Sequence, residues 1–474
     1  MRDKPLSKTY RDREVTQIMG AIRAGDSCTI IGIGSAGKSN LLRFLQRPDI
    51  LQDRLGADWE QYLIVYVDGN KLIEHSLWGL IELMLYQMVA ALSESAGEIA
   101  SGGTAGSDFA GDRITGAGAA SPGVTGALEE LYDKAIQPET HAFAIRYLEH
   151  AINLIRKRLD LHLVFLLDEF DALYAKLAAR GFAALRALRD DHKYRLSYLV
   201  AVRQDWRRSR EDWAAVEAFE ELVSPLTVWL GPYSEADARE MLGRLAARDG
   251  STLDESSQRT ILTQTGGHPG LVRAAYRTAL ESPPHLIQAL RTSGRVQDEC
   301  QRIWFSLPAD EQQAVARLAA EPDNNPPTGA LLERLLSKEL VTEVAPYKYA
   351  LFSGLFGACI VQLDLQAGVW IRIDHARHAA WVGERYIEHL PPLAFRLLDY
   401  LVQNRGKLCT REELARNLYP DELERDTTGS TDGRLDTIVT RLRKQIEPDP
   451  NNPRFVLTER GFGYRLADGT PDSS

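Results

Sequence analysis

Cysteine is scarce in this 474-residue chain: there are four, Cys28, Cys300, Cys359 and Cys409. They stand far apart, without the short spacings that bring thiolates to one metal. That excludes a disulfide framework and a zinc-ribbon site, and leaves buried thiols in a reducing compartment as the plain reading. Long apolar runs are also missing, and none approaches the ~20 residues of a membrane-spanning helix. The opening residues, Met1 to Pro5, lack the apolar core of a signal peptide. The expectation is a soluble, cytoplasmic protein with no membrane partner. Excess positive charge is absent as well, the formal net charge being −10. This excludes a protein that coats nucleic acid indiscriminately, but not one with a local basic reading head. A hydrophobic content of 44% with 26% charged residues is that of folded protein rather than disordered chain. The length suggests about three domains. No repeat at solenoid spacing is apparent.

Against this background two segments stand out. Gly32-Ile-Gly-Ser-Ala-Gly37-Lys38-Ser39 fits G-x-x-x-x-G-K-[ST]. It follows an apolar strand candidate, Cys28 to Ile31, and precedes a helix candidate beginning near Asn40, which is the context the motif requires. Glycines let such a loop curl so that its N–H groups point at phosphate oxygens. Lys38 adds a point charge toward the β- and γ-phosphates, and Ser39 can ligate magnesium. The second segment, Leu163-Val-Phe-Leu-Leu-Asp168-Glu169, is an apolar run ending in two carboxylates. It reads as a strand buried on both faces of a parallel sheet, presenting Asp168 to the metal and Glu169 to a water. Together they predict binding and hydrolysis of a nucleoside triphosphate, with ATP and Mg2+ as cofactors.

Residues 1–225 read as alternating strands and helices. The strand candidates are Ser27–Gly32, Tyr62–Val67, His162–Asp168 and Leu196–Val202, and helix patterns at Ser76–Leu92 and Phe143–Arg158 lie between them. Alternation of this kind predicts a parallel sheet with helices on both faces and ligands at the carboxyl ends of the strands. Residues 95–127 are mostly Gly, Ala, Ser and Thr, too poor in apolar surface to offset the entropy of ordering. They read as a mobile insertion, either a tolerated surface loop or a ligand-sensing one. From Thr227 to about Ser293 the pattern reads as helical, with a Ser234 N-cap and an acidic first turn. Residues 296–365 give short helices followed by the strand pair Leu340-Val-Thr-Glu-Val and Lys348-Tyr-Ala-Leu-Phe, the order of a winged helix.

On these residues the first 365 positions resemble a STAND-type or archaeal-type AAA ATPase of the P-loop class. Tyr10-Arg-Asp-Arg13-Glu14 resembles the element that lies near the nucleotide base. Leu167-Asp168-Glu169-Phe170-Asp171 resembles the strand-end signature. Leu199-Val-Ala-Val-Arg203 resembles the strand whose terminal Arg senses the γ-phosphate, and Gly267-His268-Pro269 the lid motif whose Pro packs over adenine. The resemblance implies an α/β core with a parallel sheet, a helical lid at 226–295 and a winged helix. Lys38, Glu169 and Arg203 would be the catalytic groups. Gly32, Gly34, Ser35, Ala36, Gly37, Lys38, Ser39, Asn40, Arg13, His268 and Pro269 would hold nucleotide, and Ser39 and Asp168 the metal. Phosphoryl transfer leaves positioning and charge neutralisation as the protein's work, and a guanidinium at Arg203 suits recognition of a phosphate. Two of these residues also have an ordinary reading, Arg203 as a surface side chain at a strand end and His268 as a helix cap, and Arg13 divides evenly between a functional and an ordinary role.

The last hundred residues carry a separate pattern. Leu435, Ile438, Val439, Leu442 and Ile446 share one face of a helix, and Arg434, Thr437, Arg441 and Lys444 the other. Four basic residues against one acid, Asp436, give Arg434 to Ile446 a local charge of +3 (4 − 1). An apolar face that docks and a basic face that enters a major groove is the arrangement of a recognition helix. Thr410-Arg-Glu-Glu413 is a capping box. With the terminal Thr458-Glu-Arg-Gly461-Phe-Gly463-Tyr464-Arg-Leu466, the segment of about 370–467 resembles the DNA-binding domain of OmpR-type response regulators. That resemblance implies a C-terminal α+β winged helix, placed at 366–474, with double-stranded DNA as partner. Thr437, Thr440 and Arg441 could reach base edges, while Arg434, Lys444 and Arg460 are further candidate contacts, Lys444 and Arg460 for phosphates. In those regulators the loop corresponding to Asp421–Thr431 can touch RNA polymerase. The leading expectation is an ATP-controlled transcription regulator, responsive to an unknown signal protein and able to assemble with copies of itself when ATP is bound. The alternatives are a DNA-metabolism ATPase of the initiator or transposition-regulator kind, and a defence or stress sensor whose winged helices bind protein.

Overall fold

The computed structural model describes residues 5–97, 122–137, 143–281, 285–320, 326–367, 371–375, 377–382, 385–388, 390–419, 430–447, 450, 453, 455–459 and 462–467. The chain divides into two units, Met1–Gly357 and Ala358–Ser474.

The first unit is built on β1 (Ser27–Gly32), β2 (Tyr62–Asp68), β3 (His162–Asp168), β4 (Leu196–Val202) and β5 (Pro225–Leu230). They form a parallel sheet in the order β2-β3-β4-β1-β5. Every residue of β1 and β4 is buried, as expected of central strands covered on both faces. Alternate residues of β2, β3 and β4, such as Val65, Phe165 and Val200, enter one apolar cluster with helices Leu77–Gly97, Ala144–Leu159 and Trp213–Val223. Ile64, Val164 and Leu199 point the other way and are also buried. Strand, loop, helix and this sheet order make a P-loop NTPase-type α/β core.

Two segments depart from the expected pattern. The helical pattern expected from Thr227 begins instead with β5, which pairs with β1 from Ser27↔Pro225 to Gly32↔Leu230. As an edge strand it is only half buried, so it lacks the continuous apolar run that marks the central strands. The helices start after it: Glu235–Asp249, Glu255–Thr265, Pro269–Glu281 and Leu286–Thr292. Ser234 caps the first, accepting from the Asp237 N–H at 3.1 Å. The other segment is the expected insertion at 95–127. Helix Leu77–Gly97 runs into it and helix Pro122–Ala135 begins within it, burying Val124 and Leu128; residues 98–121 lie outside the described residues.

Helices Gly294–Phe305, Ala309–Ala320 and Gly329–Ser337 precede an antiparallel hairpin of β6 (Val341–Ala345) and β7 (Lys348–Leu351), the helix–hairpin order of a winged helix. The division between the units falls inside the next helix, Gly354–Ala367.

The second unit opens with an antiparallel sheet of β8 (Ile371–Asp374), β9 (Ala379–Val382) and β10 (Arg385–Ile387). Helices Pro392–Gln403, Arg411–Leu418 and Ser430–Ile446 follow. A sheet of β11 (Cys409–Thr410), β12 (Val456–Glu459) and β13 (Gly463–Leu466), in the order β11-β13-β12, completes the unit. Its core joins Leu397 and Leu401 to Leu414, Leu435, Leu442 and Leu466. The capping box is formed: the Thr410 N–H donates to Glu413 Oε2 at 2.8 Å and the Glu413 N–H to Thr410 Oγ1 at 3.2 Å.

Candidate functional site

The carboxyl ends of β1, β3 and β4 lie side by side, because these strands are neighbours in one parallel sheet. Directly after β1 the loop turns with Ser35 at φ 56° and Gly37 at φ 90°. Left-handed residues of this kind make a backbone concavity suited to an anion. The helix begins at Lys38, two residues before the expected Asn40. A side chain at Gly37 would strain the backbone and meet the Tyr233 hydroxyl at 2.9 Å.

The loop is fastened from below. Arg11, itself buried, donates from Nη2 to the carbonyls of Ala36 at 2.7 Å and Gly231 at 2.8 Å. Its guanidinium lies over the Tyr233 ring, 4.7 Å from the centroid. Tyr233 in turn shares a 2.8 Å hydrogen bond with Tyr10. Sequence reasoning named Arg13, two residues further on. The structure places Arg13 outside the cavities, ion-paired with Glu339 at 2.6 Å and Glu14 at 2.8 Å. Helix Asp12–Ala24 begins at this point, and Arg11 stands just before it in the left-handed region. That geometry sends the two side chains apart, and no spacing rule announces it.

His268 is fully buried and reaches the same loop. Its Nδ1 accepts from the Leu271 N–H at 3.4 Å, so Nε2 carries the proton and donates to the Gly34 carbonyl at 3.1 Å. Burial pushes its pKa down to about 3, with only the Gly34 hydrogen bond raising it, and the ring is neutral at physiological pH. It thus caps helix Pro269–Glu281 and holds the loop at once. Pro269 is buried at the first position of that helix, where its missing N–H costs nothing.

Lys38 is buried and donates from Nζ to the Gly32 carbonyl at 2.7 Å. Desolvation lowers its pKa, opposed chiefly by Asp171 and Glu169. Asp168 is buried at the end of β3, its Oδ1 accepting from the Glu169 N–H at 2.9 Å and its Oδ2 from the Tyr66 hydroxyl at 2.7 Å. Tyr66 escaped sequence reasoning because a tyrosine in an apolar strand reads as core. Burial, reinforced by Asp168, raises its pKa, so the phenol remains a donor. Glu169, at φ 50°, pairs with Arg203 Nη2 at 2.5 Å. The Arg203 N–H donates to Asp171 Oδ1 at 2.9 Å, while Asp171 Oδ2 is buried without a partner among the described residues.

These groups border two cavities of a size suited to small ligands. One, of about 420 Å³, is lined by Ser35, Ala36, Gly37, Lys38, Ser39 and Asn40, by Glu169, by Arg273 and Arg277 of the lid, and by Glu299 and Arg302. The other, of about 740 Å³, extends past Lys38, Glu169 and Arg203 toward Tyr174, Trp206 and Phe305. Helix Gly294–Phe305 closes on the loop: the Gly34 N–H donates to Ser306 Oγ at 3.1 Å and Gln204 Nε2 to the Ser306 carbonyl at 3.2 Å. Glu299 Oε1 is buried against Gly270 and has no partner among the described residues. The left-handed loop and the buried lysine have the chemistry to hold a nucleotide's phosphates; Ser39 lines the smaller cavity, whereas Asp168 lines neither and has both oxygens engaged by the Glu169 N–H and the Tyr66 hydroxyl.

In the second unit, helix Ser430–Ile446 buries Leu435, Ile438, Val439, Leu442 and Ile446. Arg434, Thr437, Thr440, Arg441 and Lys444 are exposed together on its other side. Arg443 turns away from them, donating from Nε to the Val456 carbonyl at 3.0 Å. Asp436 shares the exposed side, paired with Arg411 at 2.6 Å and Tyr464 at 2.5 Å. Burial and the Asp436 hydrogen bond hold the Tyr464 phenol up at about 12. Arg460 and Gly461 of the wing, and most of the loop Asp421–Thr431, lie outside the described residues.

Residues 385–466 match the family described as transcriptional regulatory protein, C terminal. The C-terminal unit carries an OmpR-type DNA-binding winged helix. The sensory transduction protein RegX3 of Mycolicibacterium smegmatis is 40% identical over 102 residues, 22% of this chain and 42% of the relative. The KDP operon transcriptional regulatory protein KdpE of Escherichia coli K12 is 34% identical over 97 residues, 20% of this chain and 40% of the relative. The chain thus spans less than half the length of these relatives. Among solved structures, the Walker-type ATPase PABY2304 of Pyrococcus abyssi covers 76% of this chain and 99% of its own, at 14% identity and a TM-score of 0.43. The ORC2 protein of Aeropyrum pernix covers 76% and 96%, at 14% and 0.42. At those scores the likeness adds nothing to the fold described above. No described helix is long and apolar enough to cross a membrane.

Proposed function

We propose that the chain is an ATP-controlled regulator of transcription, in which nucleotide at the β1 loop governs sequence-specific DNA binding by the C-terminal winged helix in the cytoplasm. The observation that carries this reading is the closure of helix Gly294–Phe305 on the phosphate-binding loop. Ser306 takes a loop N–H, and Glu299, paired with Arg302 at 3.3 Å, sets a carboxylate in the wall of the cavity that the loop lines, where phosphate charge must come. Triphosphate and this helix position therefore oppose each other, and a ligand that binds two arrangements unequally shifts their populations. Helix Gly354–Ala367 provides covalent continuity from this module into the DNA-binding unit.

Within the site, the loop N–H groups and Lys38 neutralise phosphate. Bound magnesium would supply further charge stabilisation from Ser39. Arg203 at present engages Glu169, and would recognise the terminal phosphate once freed, leaving Glu169 to orient a water. Arg273 lines the smaller cavity with no hydrogen bond or ion pair among the described residues, and is the lid residue best placed for added phosphate recognition. Isothermal titration of ATP with magnesium, together with phosphate release, tests the assignment. Glu169→Gln should bind ATP and turn over very slowly, and Lys38→Ala should do neither. Undiminished turnover in Lys38→Ala overturns it.

A further inference from the structure

Asp436 is an acid on the exposed, otherwise basic side of helix Ser430–Ile446. Placed there it weakens attraction to phosphate, so affinity for the backbone does not account for it. Its two oxygens are treated differently. Oδ1 accepts from Arg411 Nη1 at 2.8 Å, Arg411 Nη2 at 2.6 Å and the Tyr464 hydroxyl at 2.5 Å. Oδ2 accepts from nothing among the described residues, and the side chain is 50% exposed. The guanidinium does not grip the carboxylate with its usual parallel fork; both its nitrogens converge on one oxygen. One turn on, the Thr440 hydroxyl is held by the Asp436 carbonyl at 2.7 Å. The result is a fixed carboxylate with one oxygen committed to the fold and the other presented outward.

We propose that Asp436 is a specificity-determining residue that accepts a hydrogen bond from the N4 amino group of a cytosine in the major groove. The inference rests on the reading of this helix as the one that enters the groove. A carboxylate is an acceptor only. Guanine and thymine offer it acceptors at O6, N7 and O4, which it repels. Adenine offers a donor at N6 but sets the N7 acceptor beside it on the same ring system, whereas cytosine offers N4–H with only the C5 edge beside it on its own ring. A single free oxygen matches that single donor.

The test is selection from random duplexes by the full-length protein, comparing wild type with Asp436→Asn. The amide oxygen of asparagine can still accept from Arg411 and Tyr464. Wild type should require cytosine at one position of each half-site. Asp436→Asn should abolish the preference for cytosine at that position in favour of bases that present acceptors, guanine above all, and leave the others unchanged, since the outward-facing group is then an N–H2 donor. A second measurement needs no variant: N4-methylcytosine at that position, with its exposed donor blocked, should weaken wild-type binding about fivefold, as for loss of ~1 kcal/mol. An unchanged motif in Asp436→Asn, or full affinity for the methylated site, overturns the assignment. A wild type that enriches no motif overturns it too, and locates the failure in the reading of the helix rather than in Asp436.

Discussion

Acid should strike the first unit at His268. The ring is fully buried, and its pKa is pushed from an ordinary 6.5 down to about 3, burial being the main cause. In the unfolded chain it gains a proton as the pH falls through about 6.5, while in the folded chain it stays neutral until about 3. The unfolded state holds more protons across that window, so stability is flat above it and falls as pH falls within it. Each pH unit in the window costs ~1.4 kcal/mol, so the share due to His268 between pH 7 and pH 5 is about 2 kcal/mol. Urea unfolding of the full chain, followed by tryptophan fluorescence, should be run on wild type and His268→Gln at both pH values. Glutamine cannot titrate but keeps a donor and an acceptor. Other titrating groups are common to both proteins and cancel in the difference. Wild type should lose about 2 kcal/mol more than the variant on going to pH 5. Parallel losses would refute the buried, neutral histidine holding the Gly34 carbonyl.

Further expectations concern the two sites. Glu299→Gln should tighten ATP binding on the order of tenfold, as for relief of ~1.4 kcal/mol of repulsion, since it removes a negative charge from the lining of the loop's cavity and frees Arg302, which Glu299 holds at 3.3 Å; unchanged affinity in titration calorimetry removes Glu299 from the switch. Neutralising Arg441 and Lys444 to alanine should reduce the slope of log affinity against log salt by about 0.9 for each phosphate these side chains neutralise. An unchanged slope would point to a protein partner for that face.

The central strands were legible because burial on both faces demands continuous apolar runs, and β1, β3 and β4 begin and end where the sequence places them. β5 was missed for the complementary reason, being an edge strand with only two of its six residues buried. That the loop and Lys38 follow β1 and that Asp168 and Glu169 end β3 was legible from the strand–loop–helix pattern and the apolar run that stops at two acids. What spacing could not supply was direction. Arg11 rather than Arg13 grips the loop because of a left-handed turn before a helix. Tyr66 meets Asp168 across adjacent strands, 102 residues apart in sequence, and Ser306 reaches the loop, and Glu299 the cavity beside it, only through tertiary packing. In the C-terminal unit the helical wheel separated buried from exposed residues, since period 3.6 decides that alone. The tethering of Arg443 to β12 and of Asp436 to Arg411 and Tyr464 needed the neighbouring strands.

The most direct test of nucleotide control over DNA reading is selection from random duplexes at fixed salt, with and without ATP, using wild type and Glu169→Gln. The account predicts one short repeated motif whose enrichment changes with ATP, and a Glu169→Gln protein locked in the ATP-bound behaviour. Nucleotide-dependent binding with no enriched motif would contradict it in favour of a DNA-metabolism ATPase. A motif equally enriched with and without ATP would contradict the coupling itself.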